Sequence, residues 1–171
     1  EAPHHGRGAR LDPVTPAALQ TQWARLFLGS LRRAGVRDVV LSPGSRNTPF
    51  TWAALHDPGL ACRSIIDERS AAFFAVGHAR VTGRPVLLVC TSGSAAANYW
   101  PAVVEAAESG TPLLLLTADR PLELQHSAAP QTIDQVRLYG TFARAYFDLG
   151  APDAHPAMLR AVPRIAAQAV L

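Results

Sequence analysis

The sequence predicts an α/β fold, a doubly wound and mostly parallel sheet flanked by helices, on three observations. Strand-like apolar runs alternate with helical stripes five times over, through short connections. The runs at 85–90 and 113–116 are uninterrupted apolar stretches, as expected of strands buried on both faces of a parallel sheet. Three junctions between such a run and the following helix, at 42–49, 66–70 and 91–98, carry polar, turn-prone residues. In sheets of this class, ligand crevices open at the carboxyl ends of the strands.

Each element follows from local signals. Residues 1–13 are polar, rich in Gly, Arg and His, and without apolar periodicity; they are expected to be disordered or an appended tail, with the folded domain over 14–171. Thr15 before Pro16 is an N-cap with a first-turn proline, and Leu19, Trp23, Leu26, Phe27 and Leu31 form a helical stripe that stops at Gly35. A strand follows at 36–41. Pro49 opens a short helix closed by the Asp57-Pro58-Gly59 turn, and 60–66 reads as the next strand. Asp67 caps a helix over 68–82 whose small residues suit close packing on a sheet, and Gly83 ends it. The strands at 85–90 and 113–116 bracket a helix over 94–108. After a loop at 117–131, Thr132 caps a short helix through Tyr139, 142–149 reads as an edge strand, and 156–171 as a last amphipathic helix. That helix runs to the final residue without a capping glycine, so the chain is expected to be a piece of a longer protein.

Composition excludes several functions. A length of 171 residues with 49% hydrophobic content suits one domain with a substantial core. The net charge is only +3, and Arg32-Arg33 is the one adjacent basic pair, so no basic stripe interleaved with aromatics marks a nucleic-acid surface. All 16 basic residues are arginine. Without lysine, neither a Schiff-base nucleophile nor a Walker A phosphate loop is available. Guanidinium forks suit bidentate recognition of carboxylates or phosphates, although genomic composition bias is the plainer account of the pattern as a whole. Cys62 and Cys90 are isolated in apolar runs and read as buried thiols of a reducing compartment. The six histidines form no metal-ligand pattern, and no metal site is expected within this stretch. No apolar run approaches the roughly 18 residues of a membrane span, and the first ten residues are too polar for a signal peptide; a cytoplasmic location is expected.

The candidate chemistry sits in the junction loops. Glu68, in the first turn of its helix, either complements the helix dipole or, flanked by Ile65-Ile66 and Ala71 to Phe74, is a partly desolvated carboxyl suited to handling a proton. Ser45-Arg46 after a Pro-Gly turn is an anion site or a plain turn with a surface arginine. Thr91-Ser92-Gly93 is a second donor-rich loop, and no Gly-x-Gly-x-x-Gly dinucleotide fingerprint is present. Asp119-Arg120-Pro121 offers another guanidinium at the same edge, free for a ligand or held in an ion pair that shapes the loop.

Five segments occur in order: Ser-Pro-Gly-Ser-Arg-Asn-Thr-Pro at 42–49, Ile-Asp-Glu-Arg-Ser-Ala-Ala-Phe-Phe at 66–74, Cys-Thr-Ser-Gly-Ser-Ala-Ala-Ala-Asn-Tyr at 90–99, Leu-Thr-Ala-Asp-Arg-Pro at 116–121 and Gln-Thr-Ile-Asp-Gln at 131–135. Together, from about Val14 onward, they closely resemble the N-terminal pyrimidine-binding domain of the 2-succinyl-5-enolpyruvyl-6-hydroxy-3-cyclohexene-1-carboxylate synthases, three-domain enzymes of menaquinone biosynthesis that use thiamine diphosphate and a divalent cation, Mg²⁺ or manganese. The resemblance implies that Glu68 hydrogen-bonds the aminopyrimidine ring of the cofactor and promotes loss of its C2 proton. It implies that Thr91, Ser92 and Gly93 border the cofactor, and that Ser45, Arg46, Arg120 and Gln131 lie near the anionic groups of the substrates, 2-oxoglutarate and isochorismate. It further implies a homo-oligomer, with the cofactor between this domain of one subunit and the diphosphate-binding domain of another, and transfer chemistry that the isolated chain cannot perform. Pro130 departs from the pattern, which leads one to expect a polar amide before Gln131; proline brings no donor there. Nothing resembles the Gly-Asp-Gly…Asn segment that holds Mg²⁺ and the diphosphate. Two rivals are another thiamine-diphosphate decarboxylase or acetolactate-type synthase, which would keep Glu68 without the Ser45-Arg46 and Asp119-Arg120 loops, and a freestanding, non-catalytic binding domain.

Overall fold

The computed structural model describes residues 15–171, and the stretch 1–13 read as a tail lies outside the described residues. Helix α1 (Pro16–Arg33) leads into β1 (Asp38–Leu41), α2 (Thr48–Leu55), β2 (Ala61–Ser64), α3 (Glu68–Thr82), β3 (Val86–Cys90), α4 (Ser94–Ala97), α5 (Trp100–Glu108), β4 (Leu113–Thr117) and α6 (Pro156–Val170). The local signals hold where they are strongest. Thr15 Oγ1 accepts from the Ala18 N–H at 3.2 Å, Asp67 Oδ1 accepts from the Ser70 N–H at 2.7 Å, and Gly83 closes α3 in the left-handed conformation at φ 65°.

The four strands are all parallel, in the order β2-β1-β3-β4. Strand alternation splits the core into two layers. Val39, Leu41, Leu87 and Val89 face α1, α2 and α6, where Trp23, Phe27, Leu28, Leu31 and Val162 are buried. Val40, Val86, Leu88 and Cys90 face α3, α4 and α5, whose Ala71, Ala72, Ala75, Ala96 and Ala102 let the helices approach the sheet closely. The chain leaves β1 for α2 on one face and β3 for α4 on the other, so the sheet's topological switch point lies between β1 and β3. At the opposite, amino end of β1, the buried Asp38 is held by Arg84 Nη2 at 3.1 Å, with His78 Nε2 3.0 Å from its other oxygen.

Four expectations need correction. The helix expected over 94–108 is two helices, because Pro101 has no N–H to offer the Ala97 carbonyl and its ring crowds that group. Residues 132–139 form turns rather than a helix, with Arg137 in the left-handed region at φ 51°. The segment 142–149 pairs with no strand among the described residues: a short 3-10 turn (Gly140–Phe142) opens it, and Leu138, Tyr139 and Phe142 pack individually against the α3–α5 layer. The second strand ends at Ser64, and Ile66, read as part of it, is 81% exposed. Among the described residues, four strands therefore replace the five expected.

Leu88 is fully buried in the interior strand β3, whereas Val81 is 89% exposed on α3. Leu88→Ala is expected to destabilise the chain by about 2–5 kcal/mol and Val81→Ala by less than about 0.5 kcal/mol, measured by urea denaturation.

Candidate active site

Two loops meet at the switch point. Where β1 ends, the Ser42 N–H donates to the Val89 carbonyl and the Ser42 hydroxyl donates to the Ile65 carbonyl, both at 2.9 Å, which ties the carboxyl ends of β2, β1 and β3 together. Wholly buried Asn47 donates from Nδ2 to the Ser42 carbonyl at 2.8 Å and closes the 42–47 loop on itself. A Cβ at Gly44 would lie 2.4 Å from Thr91 Cβ, so only glycine lets this loop reach the end of β3. Ser45 and Arg46 stand exposed at its crown.

Glu68 is the first residue of α3 and is half-buried, while its neighbour Asp67 provides the cap; the Ser70 hydrogen bonds hold the Asp67 carboxyl below its ordinary range. The Glu68 charge reaches Cys90, the last residue of β3. Burial pushes the Cys90 thiol up to about 12, with the Tyr99 hydroxyl opposing the shift and the Glu68 charge adding to it. The carboxylate thus bears on the carboxyl end of β3, two strands away from its own β2.

Thr91, Ser92 and Gly93 are buried, and polar groups of Ser92 and Gly93 are engaged within the chain. Ser92 Oγ donates to the Gln131 carbonyl, and the Gly93 N–H donates to Gln135 Oε1, both at 2.8 Å. Gly93 adopts φ 80°, and a Cβ there would fall 2.9 Å from the Gln131 carbonyl group. Gln131 is exposed, beside the exposed Pro130. At the end of β4, Asp119 accepts from the backbone N–H of Arg120 at 2.7 Å and forms no ion pair with its guanidinium. Arg120 Nε is buried without a hydrogen-bond partner among the described residues, which leave that guanidinium unspent.

Every site residue expected from the sequence therefore lies at one sheet edge: Glu68 after β2, Ser45 and Arg46 after β1, Thr91 to Gly93 after β3 with Gln131 folded onto them, and Arg120 after β4. With neighbouring strands about 4.8 Å apart, the β1 and β4 loops lie roughly 10 Å from each other across the sheet. Among the described residues, no group of three or more His, Cys, Asp or Glu side chains is placed to hold a metal ion. Sequence reasoning missed Ser42, Asn47 and Gln135, buried polar residues whose bonds hold these loops. The signal for Gln135 was its place in the Gln-Thr-Ile-Asp-Gln segment, where only the first glutamine was singled out.

A parallel α/β sheet with a half-buried helix-terminal glutamate and closely packed loops at its switch point describes a cofactor-binding domain, and known proteins specify which kind. The family described as thiamine pyrophosphate enzyme, N-terminal TPP binding domain, matches residues 21–138, and the chain belongs to that family. Similar proteins include one from Sorangium cellulosum (strain So ce56) named 2-succinyl-5-enolpyruvyl-6-hydroxy-3-cyclohexene-1-carboxylate synthase, 57% identical over 89% of this chain and 25% of that protein. Proteins of the same name from Haloarcula marismortui and Geobacillus kaustophilus are each 54% identical, over 92% and 86% of this chain and 26% of each relative. The chain spans about a quarter of the length of these curated relatives. No helix among the described residues is long and apolar enough to cross a membrane.

The Cys90 thiol generates a pH prediction. From the ordinary thiol value of 9.0 up to about 12, the folded chain keeps a proton that the unfolded chain releases, so stability falls as pH rises through that window. Tyr99 and Tyr139, raised by burial, act with the same sign at higher pH. Cys90→Ala is expected to abolish about 1–2 kcal/mol of the stability lost between about pH 8 and about pH 10.5, read by urea denaturation at both pH values. A pH dependence identical to that of the unaltered chain would show that Cys90 is not held as the protonated thiol.

Proposed function

We propose that the chain is the pyrimidine-binding domain of a longer, thiamine-diphosphate-dependent synthase that decarboxylates 2-oxoglutarate and adds the resulting succinyl carbanion to isochorismate. One observation carries this reading: the half-buried Glu68 opens α3 at the switch-point edge, with exposed Arg46 and the unspent Arg120 guanidinium on the same edge. The likeness to synthases of that name over most of the chain supports it.

The residues present suit the pyrimidine half of the cofactor. Glu68 is the hydrogen-bond partner for its aminopyrimidine ring, and the loop Thr91 to Gly93, held rigid by Gln131 and Gln135, forms the adjoining wall. When bound, thiamine diphosphate supplies the carbon nucleophile and the electron sink for decarboxylation. Because the carboxyl of Glu68 is partly withdrawn from water, its hydrogen bond to a ring nitrogen is stronger than one made in solvent. Isochorismate brings two carboxylates into a site to which this chain contributes no lysine, and Arg46 and Arg120 meet them, with Ser45 and Gln131 as neutral partners. Mg²⁺ and the diphosphate are held outside this chain, in a domain that covers the site in a homo-oligomer. Ile66 (81% exposed), Phe73 (45%) and Phe74 (39%), just before and in the first half of α3, are exposed apolar side chains near Glu68 and suit such a cover.

Two predictions follow for the full-length enzyme. Glu68→Gln is expected to preserve the fold and slow exchange of the cofactor's C2 proton by about 10²- to 10⁴-fold, followed by NMR; an unchanged rate would return Glu68 to a helix-dipole role. Arg46→Ala and Arg120→Ala are expected to weaken isochorismate use by roughly 1.5–3 kcal/mol in kcat/KM, with C2 exchange and 2-oxoglutarate decarboxylation persisting. Equal loss of both half-reactions would assign these arginines to holding the domain together.

A further inference from the structure

We infer that Gln135 is a positioning residue that holds Gln131 in the site without touching substrate itself, an inference that rests on the proposed function. Gln135 is 7% exposed, and both ends of its carboxamide are spent on backbone. Its oxygen accepts from the Gly93 N–H at 2.8 Å, and its nitrogen donates to the Ala118 carbonyl at 3.0 Å, with Thr117 Oγ1 at 3.4 Å. One side chain therefore bridges the carboxyl ends of β3 and β4 and carries the return segment with it.

That segment has little regular structure of its own. Gln131 sits in the left-handed region at φ 56°, as do His126 at 58° and Ala128 at 54°, conformations that cost a non-glycine residue free energy and persist only where outside contacts impose them. Those contacts are the Ser92 hydroxyl on the Gln131 carbonyl, the Gln135 bridge, and the Tyr139 hydroxyl donating to the Ala96 carbonyl at 2.8 Å. Ala118 is fixed by the sheet, since its N–H donates to the Cys90 carbonyl at 3.0 Å, and Gly93 by α4, since the Ala96 N–H donates to its carbonyl at 3.1 Å. Loss of the bridge therefore displaces the return segment, and Gln131 with it, rather than the strand ends. The buried Gly93 N–H and the part-buried Ala118 carbonyl would both be left unsatisfied.

Gln135→Met keeps the length and bulk of the side chain and removes both bonds. In the full-length enzyme it is expected to raise the isochorismate KM about ten-fold or more, while carbon dioxide release from 2-oxoglutarate without acceptor falls by a clearly smaller factor, about three-fold or less. Hydrogen exchange of the Gly93 amide should accelerate by about ten-fold or more. An unchanged isochorismate KM, or equal loss of both half-reactions, overturns the inference. Should the variant fail to fold, Gln135→Glu carries the test, because its carboxylate can accept from the Gly93 N–H but has no hydrogen to give the Ala118 carbonyl. Its isochorismate KM should rise while carbon dioxide release without acceptor falls by a smaller factor, and an unchanged KM overturns the inference. If the unaltered enzyme does not use isochorismate, the proposed function fails, and Gly93 exchange alone decides the bridge: unchanged exchange in Gln135→Met overturns it.

Discussion

Everything at the carboxyl edge of this sheet hangs on the close approach of the loops that follow β1 and β3. Parallel pairing sets the strands side by side, but their chains must then diverge to opposite faces, which opens a cleft lined by backbone groups no strand can satisfy. Here Ser42 satisfies the gap in both directions, its N–H toward β3 and its hydroxyl toward the end of β2. Asn47 folds the loop back onto the Ser42 carbonyl, and Gly44 lies flat against Thr91. A side chain at Gly44 would separate the two loops and change the distance between whatever Arg46 holds on one side and Thr91 to Gly93 border on the other. The crown of the loop can be exposed and polar because its base is fully buried and bonded.

That packing also fixes the electrostatics. Glu68 enters after a third strand, and its charge adds a little to the upward push that burial exerts on the Cys90 thiol. A carboxylate in this position is not stabilised by an ion pair among the described residues, since the salt bridges there involve Asp38, Asp57 and Glu105 instead. Under the proposed function that is the useful arrangement, because a guanidinium locked onto Glu68 would compete with the ring it must serve. Arginine appears at the same edge but on other loops, where Asp119 spends itself on a backbone N–H and the Arg120 guanidinium is unpaired among the described residues.

Legibility in the sequence follows the range of the forces involved. Thr15, Asp67 and Gly83 act within one helical turn, so the ends of α1 and α3 could be read from neighbouring residues. Pro101 also acts locally, on Ala97, and the break between α4 and α5 was legible but passed over in a run rich in helix formers. The stretch 132–149 was not legible, because Gln135 and Tyr139 tie it to the distant Gly93, Ala118 and Ala96, and a period-counting argument sees only its apolar content. The same division applies to the site. Glu68, Arg46 and Arg120 announce themselves as charged residues at strand ends, whereas Asn47 and Gln135 are uncharged amides whose work is to satisfy backbone groups brought near by tertiary folding.

The irregular return segment is a physical consequence of where the site lies. A regular strand beside β4 would end at the sheet edge like the others and offer side chains only at its own tip. An irregular chain pinned at Ser92, Gly93 and Ala96 can cross from β4 back over the end of β3, and so bring Gln131 to loops that lie one strand away. The cost is backbone strain at Gln131 and its neighbours, offset by hydrogen bonds that are strong because they are buried. Rigidity at this edge thus comes from side-chain amides and hydroxyls rather than from sheet pairing, and the loss of a single amide is felt where the proposed substrate is held.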